Sequence, residues 1–190
     1  MIHEISHGVV ALFFGDTTAK DSGRLTLNPF RHIDPFYSII LPLILLISGL
    51  PVFGMAKPVP VNPFNLKNPK KEFGLVGVAG PLSNFLLALI FGVLIRLIDH
   101  FNLFQNSFII FAFTIIVIVN ISLGVFNLVP IPPLDGSRFL LSFLKDGSPI
   151  RFFLERYGFI ILVILIFTSG INIINPIISF LFKIFTGIDI

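Results

Sequence analysis

Four stretches of this chain stay apolar for longer than a soluble domain tolerates, and only short polar breaks separate them. Residues 36–53, 73–98, 107–128 and 157–185 are dominated by Leu, Ile, Val, Phe, Ala and Gly. At about 1.5 Å per helical residue, runs of this length approach the roughly 30 Å hydrocarbon core of a bilayer. A hydrophobic fraction of 55% with only 12% charged residues excludes an ordinary soluble domain. The pattern predicts an all-α integral membrane protein. We expect a polytopic helical bundle of about five to six membrane segments, joined by short irregular or strand-like loops. The 190 residues suffice for a single membrane-embedded domain spanning 1–190.

The breaks carry their own signals. Residues 1–14 are apolar but rise only about 21 Å as a helix, too little to cross alone. In the polar loop 16–35, Gly23-Arg24-Leu25-Thr26-Leu27 is expected to form a short strand. Pro42 interrupts the second span, and loop 55–72, rich in Pro, Asn and Lys, reads as extended, irregular backbone. The third span carries Gly80-Pro81 and the polar pair Ser83 and Asn84; the fourth leads into a Pro-rich segment and an amphipathic stretch at 137–144. The last apolar region is broken near Ser169-Gly170 and Asn175-Pro176, as one kinked span or a hairpin of two.

Loop charge sets an orientation. Loop 16–35 is neutral, with Lys20, Arg24 and Arg31 against Asp16, Asp21 and Asp34. Lys57, Lys67, Lys70 and Lys71 against Glu72 give the next loop +3, and residues 99–106 carry −1. Arg138, Lys145, Arg151 and Arg156 against Asp146 and Glu155 then give +2. This alternation places the Lys-rich loop in the cytoplasm, in a multi-pass protein of the cell membrane. The small net charge of +3 sits in loops and suits orientation rather than nucleic-acid binding. No cleavable signal peptide is visible. With no cysteine, disulfides, thiolate metal sites and cysteine nucleophiles are excluded, and any metal must take nitrogen and oxygen ligands.

Against this apolar background the chain opens Met1-Ile2-His3-Glu4-Ile5-Ser6-His7. Histidines at i and i+4 fall on one helical face about 6 Å apart, close enough for both imidazoles to bind one Zn²⁺. Glu4 beside them can serve as general base toward a water at the zinc. Orientation places His3 and His7 in the inner half of the bilayer, and Asp135 emerges just beyond the cytoplasmic end of the fourth span. A catalytic zinc usually keeps three protein ligands, and Asp135 is the best candidate for the third. It follows backbone that cannot continue a helix, and irregular backbone at this depth is tolerated only where it lines a cavity. The same spacing equally fits Asp135 as the N-cap of the helix that begins near Ser137, and the two roles can coexist.

Taken together these stretches resemble the site-2 proteases, intramembrane zinc metalloproteases of peptidase family M50, and their compact bacterial subgroup in particular. His3-Glu4-Ile5-Ser6-His7 matches their HExxH. Asn127-Leu128-Val129-Pro130-Ile131-Pro132-Pro133-Leu134-Asp135-Gly136 matches their NxxPxxPLDG-type motif, and Ala79-Gly80-Pro81-Leu82-Ser83-Asn84 is similar to their AGPxxN element. Two loops, Gly23-Arg24-Leu25-Thr26-Leu27-Asn28-Pro29 and Ala56-Lys57-Pro58-Val59-Pro60-Val61-Asn62, are also similar to that subgroup. The resemblance covers residues 1–138. It implies that His3, His7 and Asp135 bind one Zn²⁺ per chain and that Glu4 activates the attacking water. It implies transmembrane proteins as substrates, the lipid bilayer as surroundings, and an active site toward the cytoplasm.

Asn127 would position the substrate strand or polarise its carbonyl, or else form an interhelical hydrogen bond. Asn84 would serve substrate access or, more simply, packing. Asn120 reads as packing, His32 and His100 as ordinary surface histidines, and the Lys-rich loop as an anchor against anionic lipid. The family carries apolar residues ahead of HExxH, so either the N-terminal half of the first helix lies upstream of Met1, which is the expectation, or the activity is weak or lost. Two other functions fit the same residues: membrane metal binding or transport, since intramembrane His and Asp mark ion pathways, and non-catalytic binding of transmembrane helices. Glu4 discriminates, because hydrolysis alone requires it.

Overall fold

The computed structural model describes residues 1–49, 52, 54, 56–101, 107–168 and 170–188, and among these it is helical, with no strand. In chain order the α-helices are α1 (Ile2–Phe13), α2 (Thr18–Asp21), α3 (Leu41–Ile47), α4 (Pro69–His100), α5 (Ser107–Leu128), α6 (Asp135–Phe143), α7 (Pro149–Phe167) and α8 (Gly170–Thr186). Two of them, Pro69–His100 and Phe108–Leu128, have the length and apolarity to cross a membrane. Ile2–Phe13, Pro35–Ile47 and Asn172–Thr186 are apolar but shorter.

α4 is the hub, packing against α1, α5, α6 and α8. Its sequence explains why. Pro69 occupies the first turn, where its missing N–H costs nothing, and the buried Glu72 carboxylate accepts from the Asn68 N–H at 3.0 Å. Small residues then recur on the faces that meet neighbours. A Cβ at Gly74 would lie 2.8 Å from Ser142 of α6, and one at Gly92 would lie 2.9 Å from the Phe185 backbone of α8. Ala88 and Ile95 of α4, Val117 and Ile121 of α5 and Phe182 of α8 form the buried apolar core, at the end of α4 remote from the histidines. Leu86, Leu89 and Val93 of α4 and Phe111, Ile115 and Val119 of α5 are exposed on the outside.

Several expectations resolve here. The fourth span coincides with α5, and the amphipathic stretch is α6. The last apolar region is two helices rather than one, divided near Gly170; Ser169 lies outside the described residues, and Pro176 is accommodated inside α8. Pro42 sits in the first turn of α3 after a π-helical turn over Pro35–Ile40, so its ring avoids a regular helix interior. Leu50, Pro51 and Phe53 of the expected second span, and residues 102–106 of the −1 loop, also lie outside the described residues.

The expected strand at residues 23–27 is absent. A strand needs a ladder partner, and these backbone groups are spent elsewhere. The Arg24 N–H bonds Ala19 O at 2.9 Å, and Thr26 O accepts from the His32 ring at 2.8 Å. His32 is correspondingly no surface histidine, being 3% exposed, whereas His100 is exposed as expected. The fully buried Asp16 ties the end of α1 to the next loop, accepting from Thr18, from the Asn62 N–H at 2.7 Å and from the Asn65 amide at 2.9 Å. Burial pushes its carboxyl up, but these hydrogen bonds outweigh it and hold the group below its ordinary 3.8.

Candidate metal centre

Three elements converge on one point. α1 stacks His3 and His7 one turn apart, their rings edge to face with centroids 4.7 Å apart. After α5 the Pro-rich segment turns back, and Asp135 becomes the first residue of α6. Gly136 permits this return: a Cβ there would lie 2.2 Å from Leu128 O. Nε2 of His3 and Oδ2 of Asp135 are 3.0 Å apart, Nε2 of His7 and the same oxygen 3.2 Å, and the two Nε2 atoms 3.1 Å. His7 and Asp135 are buried and His3 half-buried.

Asp135 does not cap α6. The N-cap is Leu134, without a side-chain cap, and the Asp135 carboxylate is committed to the two histidines through Oδ2 and to Arg138, 3.4 Å from Oδ1. Arg138 in turn lies over the Phe73 ring, 5.1 Å from its centroid. The capping role is thereby excluded, and the carboxylate faces the histidines.

The far sides of the imidazoles are also held. Nδ1 of His7 is 2.6 Å from Val76 O of α4. A carbonyl can only accept, so Nδ1 carries the proton and Nε2 presents a lone pair toward Asp135 and His3. Asn84, 3% exposed, places its amide nitrogen 3.1 Å from Nδ1 of His3. An amide fork carries both a donor and an acceptor, so one 180° turn about its last bond matches either tautomer of His3.

These residues fit a tetrahedral Zn²⁺. Ligand bonds of about 2.0–2.1 Å imply ligand–ligand edges near 3.3–3.4 Å in a tetrahedron, close to the 3.0–3.2 Å triangle observed. Lone pairs and a carboxylate oxygen aimed at one another repel unless a proton or a cation lies among them, and a cation satisfies all three at once. Gly80 of α4 backs the same place: a Cβ there would lie 2.5 Å from Nε2 of His7 and 2.6 Å from Nε2 of His3. The chain leaves room where any other residue would intrude on both ligand atoms.

Not every candidate residue joins the cluster. Glu4, half-buried, points Oε2 at the Val59 N–H, 3.1 Å away in the stretch 56–62. The Asn127 amide donates to Leu123 O of its own helix at 3.0 Å, and among the described residues it makes no hydrogen bond to His3, His7 or Asp135. The Asn120 amide likewise donates within α5, to Ile116 O. Sequence reasoning missed the parts played by Gly80, Val76 O and the Val59 N–H. Only Gly80 left a signal, inside the Ala79-Gly80-Pro81 run.

Residues 94–169, which include Asp135, match the family description "Peptidase family M50". The chain is 40% identical over 173 residues to "Putative zinc metalloprotease YwhC" of Bacillus subtilis, covering 88% of this chain and 75% of that protein. It is 30% identical over 175 residues to "Putative zinc metalloprotease Rip2" of Mycolicibacterium smegmatis, covering 90% of this chain and 64% of the relative. Rip2 of Mycobacterium tuberculosis strain Erdman is 31% identical over 149 residues, 77% of this chain and 54% of the relative. The chain thus spans three quarters of the Bacillus protein and under two thirds of the mycobacterial ones. No solved structure matches it significantly. The class is therefore that of membrane-associated peptidases, and the chain belongs to family M50, the site-2 proteases.

Proposed function

We propose that this chain is an intramembrane zinc metalloendopeptidase, cleaving peptide bonds within or near transmembrane segments of other proteins. The observation that carries the reading is the meeting of Nε2 of His3, Nε2 of His7 and Oδ2 of Asp135 within 3.0–3.2 Å, with Glu4 on the same turn of α1. These three atoms would hold one Zn²⁺, which when bound would supply Lewis acidity at the site. The Glu4 carboxylate takes a proton from the attacking water and delivers it to the leaving amide nitrogen. Val76 O and Asn84 keep the imidazoles aimed, and Arg138 steadies Asp135 through its second oxygen.

The chain forms one membrane-embedded domain of about five to six segments, with α4 and α5 spanning and the shorter apolar helices embedded beside them. The exposed Leu, Val and Phe of both long helices suit lipid, and the alternating loop charges suit a centre that opens toward the cytoplasm. An apolar groove lined by Ile2, Ile5, Val9 and Val10 of α1 and by Ala79 and Leu82 of α4 runs along the helix that bears the histidines. Such walls suit an apolar segment better than a soluble peptide. A substrate helix must unwind to expose its peptide bonds, so Gly and Pro near the scissile bond favour cleavage.

The test is cleavage of a model transmembrane substrate in proteoliposomes. Wild type should cut, a strong chelator should abolish cutting and added Zn²⁺ restore it, and Glu4→Gln should be inactive while still binding zinc. Undiminished cleavage by Glu4→Gln would refute the mechanism and leave metal binding or helix binding as the function.

A further inference from the structure

The segment that meets Glu4 is Lys57-Pro58-Val59-Pro60-Val61. Proline has no N–H, so between Lys57 and Val61 the only backbone donor is that of Val59, and it is this donor that points at Glu4 Oε2. Each flanking proline also restricts the residue before it to extended backbone, which leaves the strap few conformations to lose. Val59 itself is buried, and a Cβ at Gly8 would lie 2.8 Å from its Cγ1. Gly8 is one turn beyond Glu4, so the strap crosses the face of α1 that carries the carboxylate, and the glycine makes room for it.

The strap is clamped from behind. The Lys57 N–H donates to His32 O at 2.9 Å. Arg24, itself buried, gives Nη2 to Lys57 O at 2.7 Å and to Pro58 O at 3.3 Å, and Nη1 to Arg31 O. Pro58 O and the Val59 N–H belong to one peptide unit. A guanidinium on its oxygen polarises that unit and strengthens donation by its nitrogen. The unit is therefore gripped at both ends, by a cation and by the carboxylate.

We propose that the 58–59 peptide, fixed by Arg24, positions Glu4 by binding Oε2 and so leaves Oε1 to accept the proton of the attacking water. This rests on Glu4 being the general base. Val59 and Arg24 are positioning residues, since they act through Glu4. Without the strap the carboxylate would swing among several rotamers, and the proton-accepting oxygen would be defined only part of the time.

Two measurements test it. In hydrogen exchange on the full chain without added metal, peptides over 57–61 report only the amides of Lys57, Val59 and Val61. Val59 should be protected in wild type, should exchange about tenfold faster or more in Glu4→Ala, and should be unaffected in His3→Ala. An unchanged Val59 rate in Glu4→Ala overturns the contact, and this arm does not depend on any strap variant folding. In the cleavage assay, Val59→Pro removes the donor, whereas Val59→Ala keeps it and loses similar packing. Val59→Pro should lower kcat roughly 10- to 100-fold with KM within about twofold, well below the kcat of Val59→Ala, which loses packing alone. Equal kcat for the two variants overturns the proposal. Failure of the underlying reading looks different: there Glu4→Gln itself remains active.

Discussion

Adding one methyl group at Gly80 should remove zinc binding while leaving the fold intact. The Cβ of Gly80→Ala would lie 2.5 Å from Nε2 of His7 and 2.6 Å from both Cε1 and Nε2 of His3. Carbon and ring atoms rest at about 3.5 Å, so one partner must retreat by roughly 0.9 Å. Ligand bonds in a zinc site tolerate only about ±0.2 Å. Neither ring can yield freely, since His7 is held by Val76 O at 2.6 Å and His3 by Asn84 at 3.1 Å. α4 could recede only by giving up its packing on α5, α6 and α8. Loss of supporting contacts behind ligands costs about 10- to 100-fold in metal affinity, so direct displacement should cost about 100-fold or more. Alanine favours helix over glycine by about 1 kcal/mol, so metal-free α4 should not unravel. The assay is competition for Zn²⁺ against a chelating dye, with thermal unfolding of the metal-free protein alongside. Gly92→Ala is the control: its Cβ would strike Phe185, far from the histidines, and should lower stability with zinc affinity unchanged. A Gly80→Ala protein that binds zinc within about threefold of wild type would refute the reasoning.

Three further outcomes are expected. Asn84→Ala should weaken zinc binding about 10- to 100-fold, and Asn84→Asp, which keeps an acceptor toward Nδ1 of His3, should recover part of it, both read by the same competition. Asp135→Asn should bind zinc far more weakly than wild type yet retain its thermal stability without metal, because the amide keeps the shape and removes the charge. Asp16 should make stability fall in acid: its folded carboxyl sits below 3.8, so its stabilisation is complete above that value and disappears as pH falls through the lower, folded one. Unfolding measured between about pH 2 and 6 should show this slope in wild type and a flatter one in Asp16→Asn.

Much of the architecture was legible in the chain because apolar run length is a local property. The fourth span matches α5, and the HExxH spacing predicts the shared face of His3 and His7. The meeting with Asp135 followed from depth, an argument that needs only span direction and helical rise. What stayed hidden depends on partners remote in sequence. Residues 23–27 have strand-like composition, but among the described residues no strand exists to pair with them. His32 sits in a polar stretch, yet it is buried, its ring bonding Thr26 O and its own carbonyl accepting from the Lys57 N–H. Main-chain groups such as Val76 O and the Val59 N–H carry no letter in a sequence, so their parts at the site emerge only from three-dimensional packing.

The long interval between the paired histidines and Asp135 has a consequence for biosynthesis. Asp135 follows His7 by 128 positions and His3 by 132. During translation HExxH leaves the ribosome first, and the third member of the set is the last to be made. Until α6 has docked on α4, two imidazoles stand without their carboxylate and the constellation is incomplete. A centre assembled this way exists only once α6 has packed on α4, so its geometry is a product of tertiary folding and not of the HExxH turn alone.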